Sequence, residues 1–546
     1  MTEKNHSEST IPKGYGILFK NSFYSFMNTY GTFIFSLVSS FLLARLIDDI
    51  NWGYFTLAIS YIQIISLLLN FLPPSLKNTL HYYIPRLVSQ GKNNELKALV
   101  RRSIIFKIVF LVPAFFLSLI LFIFFSELFL LNLTENTVSI LIILSPLIII
   151  NNLHVILNSV NMGFNRFKSV FVLVAIQYFV YICFLLYYFL YVKIINLETL
   201  CVIYVISALI PFILNTLINS IHIHNIKTTG KSSSSLKEDL REIFRYGVLV
   251  RTATFFSDIW GEIQVQSIGV FESPDMVLGF KISRDLLSIS TNTSLAASYP
   301  LTISFSSFIA KEEKKNIVAI YNLLLKYLIF LVVLLTGILF FSTDLFIVLV
   351  YGEPRLIYSD IVKIYLFTFI FLILASPFDS LLLAENKAKF MILIRIAGLI
   401  IRLPLFFFLI IYFDLYQAFF GIVISNFLFS VLYLVITIKV GKIQLQIIKI
   451  LSQFLVFFLS LAVTIIFEYL FLNDLNSAIF GAIPILKHFD ILSLLCFLLL
   501  FIIFVIVFKI LKVNDVEKLQ TFFISEKKLH QLTNKSLNLL KKILRN

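Results

Sequence analysis

Between Arg245 and Phe271 the sequence reads RYGVLVRTATFFSDIWGEIQVQSIGVF, a hydrophobic stretch with Arg251, Asp258 and Glu262 inside it. On a helix these three fall at about 0°, −20° and +20°, with Trp260 on the opposite side. The following stretch places Lys281, Asp285, Ser288, Asn292 and Tyr299 on one face, with Arg284 at its edge. Two earlier stretches align uncharged polar residues in the same way: Asn21, Ser25, Asn28, Thr32 and Ser39, then Thr56, Ser60, Gln63 and Asn70. Arg suits bidentate contact with a phosphate and Lys acts on it as a point charge, so cations in such a stripe point to an anionic ligand. Lys281, Arg284, Arg251, Asn28, Gln63 and Asn292 are therefore expected to line a substrate cavity suited to an anionic ligand. Asp258 and Glu262, one turn apart, repel each other, and relief by H⁺ or Na⁺ makes them the expected ion-coupling pair. The alternative is purely structural: Lys281 with Asp285, and Arg251 with Asp258, as ion pairs that hold helices together. No catalytic residue and no metal ligand set is expected.

These charges need a reason because the rest of the chain is apolar. Hydrophobic residues make up 59% of the 546, mean hydropathy is +0.94 and 14% of residues are charged, against roughly 25% in a soluble protein. A charge at the centre of a bilayer costs about 2.5 to 3.5 kcal/mol on insertion scales, which a water-filled cavity or a partner relieves. Apolar stretches of membrane-crossing length occur at 23–46, 53–73, 104–125, 137–157, 169–191, 199–221, 247–271, 276–300, 321–343, 361–383, 390–412, 416–438, 450–472 and 491–511, fourteen spans in all. The first is expected to serve as its own insertion signal.

The net charge of +15 is accounted for by topology, so no nucleic-acid partner is expected. With the N-terminus inside, 36 of the 45 Lys and Arg residues lie in or close beside the termini and even-numbered connections, including seven from Lys77 to Lys107. That bias predicts both termini in the cytoplasm of a cell membrane, Ser234 inside and Asn473 outside. Cys183, Cys201 and Cys496 sit in apolar runs without metal or redox spacing.

A Ser-rich charged segment, TTGKSSSSLKEDLRE, follows span six. NRFKS at Asn165 and NKAKF at Asn386 join corresponding spans 221 residues apart, and WGYF at Trp52 and LGFK at Leu278 are 226 apart. The expected organisation is a cytoplasmic N-terminus (1–22), an N-lobe of six spans (23–221), a linker (222–246), a C-lobe of six spans (247–438), two further spans (439–511) and a basic amphipathic tail on the inner leaflet (512–546). The fold class is an all-α polytopic membrane protein with two six-helix lobes in parallel repeat around a central cavity. The polar stripes fall on the first two spans of each lobe, the helices that would line it.

Enzyme signatures are missing from the sequence. No G-x-x-x-x-G-K-[ST] occurs, so a built-in ATPase is excluded, and no H-E-x-x-H occurs either. Asp48 and Asp49 in RLIDDINW occupy an outer turn where some membrane glycosyltransferases keep metal-binding acids, but the turn is too short for a catalytic loop, and a helix-ending acidic turn is the better account.

FLLARLIDDINWGYFTLAISYIQIISLL resembles the hinge between the first two helices of polysaccharide-transporter flippases. LVYGEPRLIYSDIVKIYLFTFIF resembles their tyrosine-glycine entry into helix ten, and LLLAENKAKFMILIRIAGLIIRLPLFFFLIIYFDLYQAFFGIVISNFLFSVLYL their helix eleven and twelve region, with Gly421. The resemblance covers roughly 15–440. Pro73-Pro74 and Gln417-Ala418 depart from it where the family has glycine. The family belongs to the multidrug/oligosaccharidyl-lipid/polysaccharide exporter superfamily. The resemblance implies a non-enzymatic flippase that moves a polyprenyl-linked oligosaccharide from the cytoplasmic to the outer leaflet by alternating access, with cavity helices one, two, seven and eight. No cofactor is expected beyond a coupling H⁺ or Na⁺, and the expected state is a monomer working among membrane lipids and glycan-assembly enzymes. The rival readings are a multidrug exporter of the same superfamily and a membrane glycosyltransferase.

Overall fold

The computed structural model describes residues 13–71, 76–124, 136–226, 236–310, 314–385, 387–472, 475–476 and 490–510. Among these it is all-helical: α1 (Lys13–Leu43), α2 (Asp49–Leu69), α3 (Leu76–Ser89), α4 (Asn93–Phe124), α5 (Asn136–Leu144), α6 (Pro146–Gly163), α7 (Phe167–Tyr187), α8 (Leu197–His224), α9 (Leu236–Phe271), α10 (Pro274–Ala310), α11 (Lys314–Val350), a 3₁₀ turn (Glu353–Tyr358), α12 (Ser359–Leu372), α13 (Ser376–Ala384), α14 (Ala388–Tyr412), α15 (Leu415–Lys439), α16 (Ile447–Phe467) and α17 (Ile491–Val507). Ten helical stretches among the described residues are long and apolar enough to cross a membrane, and two shorter apolar ones lie at Met27–Leu43 and Ile491–Val507. The remaining two expected spans fall in α9 and α10, whose polar stripes lower their hydropathy. Pro73-Pro74, Ser234, Asn473 and the tail from 512 lie outside the described residues.

Local signals set the helix starts. Asp48 caps α2: its carboxylate accepts from the Asn51 backbone N–H at 2.9 Å and from the Asn51 amide at 2.7 Å, and Asp49 in the first turn suits the helix dipole. The acidic turn is thus a helix start. Asn196 caps α8 through Thr199 N–H at 3.0 Å and Asp414 caps α15 through Gln417 N–H at 3.0 Å. Helix starts recur at a nearly constant offset: Asp49 with Pro274, Phe167 with Ala388, Leu197 with Leu415. The residues before α7 and α14 share a backbone conformation, Arg166 at φ −96, ψ 48 and Lys387 at φ −100, ψ 35.

Close contacts divide the chain into two compact units, the first made of Met1–Asn292, Val350–Gly352 and Lys387–Gly421, the second of Thr293–Leu349, Glu353–Asn386 and Ile422–Asn546. In the first, α1 packs along α7, α2 along α9, α6 against α3 and α8, and α9 against α14. The stretch expected as a connection near 74–103 is largely helical. Leu76, Leu80 and Ile84 of α3 share one face and bury against Leu96, Leu99 and Val100 of α4 and Ile156 and Val160 of α6. Helix α6 is tied to α8 by buried amides: Asn161 donates to Asn215 Oδ1 at 2.8 Å, Asn219 donates to the same oxygen at 2.8 Å, and Asn215 donates to Asn158 at 2.8 Å. In an apolar medium such pairs fix helix register.

In the second unit α16 pairs with α17. A Cβ on Gly337 would lie 2.0 Å from the Phe497 ring, so only glycine admits that ring against α11. Asn322 of α11 donates to Gln444 O at 2.9 Å and accepts from Gln446 N–H at 3.1 Å, fixing the turn before α16.

Candidate functional site

Helices α2, α9 and α10 meet where two glycines remove side chains. A Cβ on Gly53 of α2 would lie 1.8 Å from Pro274 O at the start of α10, and one on Gly269 of α9 would lie 2.4 Å from the Leu57 side chain of α2. Gln266 adds a bond to Leu57 O at 3.0 Å. Next to this contact the three helices leave a cavity of about 200 Å³. Its polar lining is Thr56, Ser60 and Gln63 from α2, Glu262 from α9, and Lys281, Arg284 and Asp285 from α10. Periodicity places these residues on inward stripes, and the packing brings the stripes together.

Lys281 is committed to protein partners. Its Nζ lies 2.5 Å from Asp285 Oδ2 and 3.2 Å from Ser40 Oγ of α1, with the rings of Trp52 and Tyr351 at 5.1 and 5.7 Å. The Tyr351 hydroxyl donates to the same Asp285 oxygen at 2.6 Å. Tyr351 and Trp52 are both fully buried, with ring centroids 5.8 Å apart. Beside them Arg45 donates to Val350 O at 3.2 Å and to Phe41 O at 2.7 Å, and Gly352 takes the φ of +96 that turns the chain out of α11. The Ala-Arg-Leu and Tyr-Gly motifs, some 300 residues apart in the chain, therefore form one joint at the Asp48 end of the cavity.

Arg284 is placed differently. Its side chain is 42% exposed and its Nη2 lies 3.7 Å from Oε1 of Glu262, whose side chain is 7% exposed. At 3.7 Å the contact is an ion pair too long for a hydrogen bond. Gly261 leaves room beside the guanidinium, with 3.8 Å from a Cβ there to Arg284 Nη2.

Arg251 and Asp258 do not line the cavity. Arg251 Nη1 lies 3.3 Å from Asp258 Oδ2, and its Nη2 donates to Leu67 O at 2.8 Å. Lys107 of α4, 2% exposed, donates to Leu69 O at 2.8 Å. Two cations thus satisfy the last carbonyls of α2, where the helix dipole is negative. Arg251 is a bridge between helices, the structural alternative weighed from the sequence. Asp258 and Glu262 each have a separate cation, so they do not form one shared site. Lys107, which the sequence assigns to a cytoplasmic connection, lies well inside α4 because the helix starts at Asn93.

Gln63 lines the cavity as expected. Asn28 does not, and its amide oxygen is buried with no hydrogen bond from the described residues. The Asn292 side chain lies outside the described residues. Ser40, Trp52, Tyr351 and Lys107 were not anticipated; the quoted motifs around Trp52 and Tyr351 are the signal that could have found two of them.

The family described as "Polysaccharide biosynthesis protein" matches residues 18–289. No curated protein sequence matches the chain. Among solved structures, the fold is similar to the lipid II flippase MurJ in an inward closed conformation, with TM-score 0.66 and 15% identity over 89% of this chain and 98% of that one. It is similar to an inward-facing multidrug resistance MATE family transporter of the MOP superfamily, with TM-score 0.60 and 13% identity over 75% and 95%. A MOP superfamily transporter from Pyrococcus furiosus, distinguished by a reversed polarity of its binding pocket, gives TM-score 0.57 and 12% identity over 77% and 94%. At these identities the likeness is one of fold.

Proposed function

Because residues 18–289 match the polysaccharide biosynthesis protein family, we propose that the chain is a flippase that carries a lipid-linked oligosaccharide from the cytoplasmic to the outer leaflet by alternating access. One observation carries the reading: a half-exposed guanidinium, Arg284, faces a cavity whose α2 wall carries the uncharged donors and acceptors Thr56, Ser60 and Gln63. The phosphate or pyrophosphate of the lipid carrier meets Arg284, and the hydroxyl and amide groups of α2 meet sugar hydroxyls. Lys281, whose charge Asp285 balances, contributes by field more than by contact. The fold likeness to MurJ, a flippase by name, supports the reading.

The paired helix starts support residues 23–221 and 247–438 as repeats, and the Lys and Arg distribution supports cytoplasmic termini in the cell membrane. H⁺ or Na⁺ coupling through Asp258 and Glu262 is part of this reading, with Glu262 the one that faces the cavity. The MATE likeness favours a second reading, export of a small toxic molecule; a cationic drug, however, would find both cavity acids, Glu262 and Asp285, already paired with cations. The test is flipping of a fluorescent lipid-linked oligosaccharide in proteoliposomes. Arg284→Ala is expected to cut the rate at least tenfold, and Lys281→Ala less. Unchanged flipping in Arg284→Ala would remove the phosphate role.

A further inference from the structure

We infer that an anionic ligand and a proton bind this cavity together, the ligand taking Arg284 from Glu262 and the freed Glu262 carboxylate taking up the proton. The inference rests on the phosphate reading above and adds the linkage. Glu262 is 7% exposed and its charge is balanced by a single guanidinium 3.7 Å away, which is itself 42% exposed. A phosphate entering the cavity offers Arg284 two oxygens at hydrogen-bonding distance, a better partner than a carboxylate held beyond 3.5 Å. Once Arg284 turns to the phosphate, the Glu262 charge stands in a buried place without its counterion. Neutralisation by a proton is the cheaper outcome.

The charges balance through the exchange. Before it, Arg284 and Glu262 sum to zero; after it, Arg284 is matched by one negative charge of the ligand, and Glu262 is neutral with one proton drawn from solvent. Among the described residues no second cation pairs with Glu262. From α2 the neighbours are Thr56, Ser60 and Gln63, all neutral. From α10, Lys281 is held by Asp285 at 2.5 Å, and Asp285 is itself an acid. On α9, Arg251 is held by Asp258 and Leu67 O. Helix α14 packs on α9 through Phe406 on Trp260, and of its cations Arg395 acts on Asp258, as does Lys77 of α3; Lys389 is exposed at the start of the helix and Arg402 is 7% exposed.

The test uses the full chain in detergent, with inorganic pyrophosphate as the probe. Binding heats measured in buffers of different ionisation enthalpy give the protons taken up per ligand. The wild type is expected to take up close to one proton beyond the share that pyrophosphate's own titration supplies, and to bind up to tenfold more tightly per pH unit of acidification in the linked range. Glu262→Gln is expected to bind with only the ligand's own share. Equal uptake by wild type and Glu262→Gln overturns the linkage while leaving the phosphate reading intact. Undiminished binding by Arg284→Gln, or no binding by wild type, overturns the phosphate reading and the linkage with it. If Glu262→Gln is recovered unfolded, the wild-type arm decides: no uptake beyond the ligand's own share overturns the proposal.

Discussion

The Tyr351 hydroxyl and the Lys281 ammonium converge on one oxygen of Asp285, at 2.6 and 2.5 Å. That oxygen ties the end of α11 to α10, and Lys281 carries the tie on to Ser40 of α1. Alternating access requires one end of the cavity to close while the other opens, and a charge-assisted joint of three groups is a closure that can be broken reversibly.

Removing one hydrogen bond to a charged group costs about 1.5–3 kcal/mol. Tyr351→Phe keeps the ring against Trp52 and removes only the hydroxyl. It is expected to raise the open population at the Asp48 end by roughly tenfold or more, since each 1.4 kcal/mol is a factor of ten. In a background without the native cysteines, labelling of Thr56→Cys by an impermeant maleimide should accelerate by that factor. An unchanged labelling rate would assign the bond to packing alone.

Gly53 tests how tightly α2 meets α10. With Pro274 O only 1.8 Å from an added Cβ, backbone must move in Gly53→Ala, at a cost of about 1–3 kcal/mol or more for overpacking. Gly261→Ala, whose Cβ meets nothing nearer than 3.8 Å, is the control. Melting temperatures in detergent should fall clearly for the first and hardly change for the second. Equal melting temperatures would mean that the helix contact is looser than described.

Much of this site could be read from the sequence because it is carried by period. Thr56, Ser60 and Gln63, and Lys281 with Asp285, repeat at helical spacing, so their stripes could be seen without knowing what they faced. Counterions could not be assigned that way. Whether Asp258 answers Glu262 or Arg251 depends on rotamers, and whether Arg251 points to the cavity or to Leu67 O depends on where α2 ends. Tyr351 reaches Asp285 across 66 positions, a contact no local pattern encodes. Helix α3 was hidden for another reason: its apolar residues form one face of a largely polar segment, which a search for membrane spans passes over.

Glu272, in the turn between α9 and α10, gives a prediction in pH. Burial first, and then the like charge of Asp414, push its carboxyl up from an ordinary 4.5. A raised acid binds its proton more tightly when folded, so its contribution favours the fold at low pH and is lost as pH rises through the folded value. Glu272→Gln should therefore raise the melting temperature at pH 7 to 8 and leave it unchanged near pH 4. A gain of equal size at both pH values would point to packing instead of ionisation.

The Lys and Arg distribution predicts the sidedness of the chain. Cysteine at position 234 should be protected from an impermeant reagent in intact cells and labelled after lysis, and cysteine at 473 should be labelled in intact cells. Labelling of position 234 from outside would invert the topology read from the charge distribution.

Lys107 is the group whose removal separates two accounts of buried charge. It is 2% exposed and donates to Leu69 O at 2.8 Å, while Arg251 donates to Leu67 O two residues earlier. The two cations repel each other, which by itself would make the loss of either one favourable. Against that, Lys107→Met fills the same space but leaves a carbonyl at the end of α2 without its donor, a cost of about 1–3 kcal/mol. Because the carbonyl sits at the negative end of the helix dipole, the desolvated oxygen wants a positive donor more than an average backbone group does. We expect the second effect to win: Lys107→Met lowers the melting temperature, and Lys107→Gln, which keeps a donor without the charge, recovers part of the loss. The same ordering should appear in the exposure of the α2 end, measured by hydrogen exchange at Leu69 and Asn70. A Lys107→Met protein that melts at or above the wild-type temperature would show that charge repulsion, and not capping, sets the energetics of this helix end.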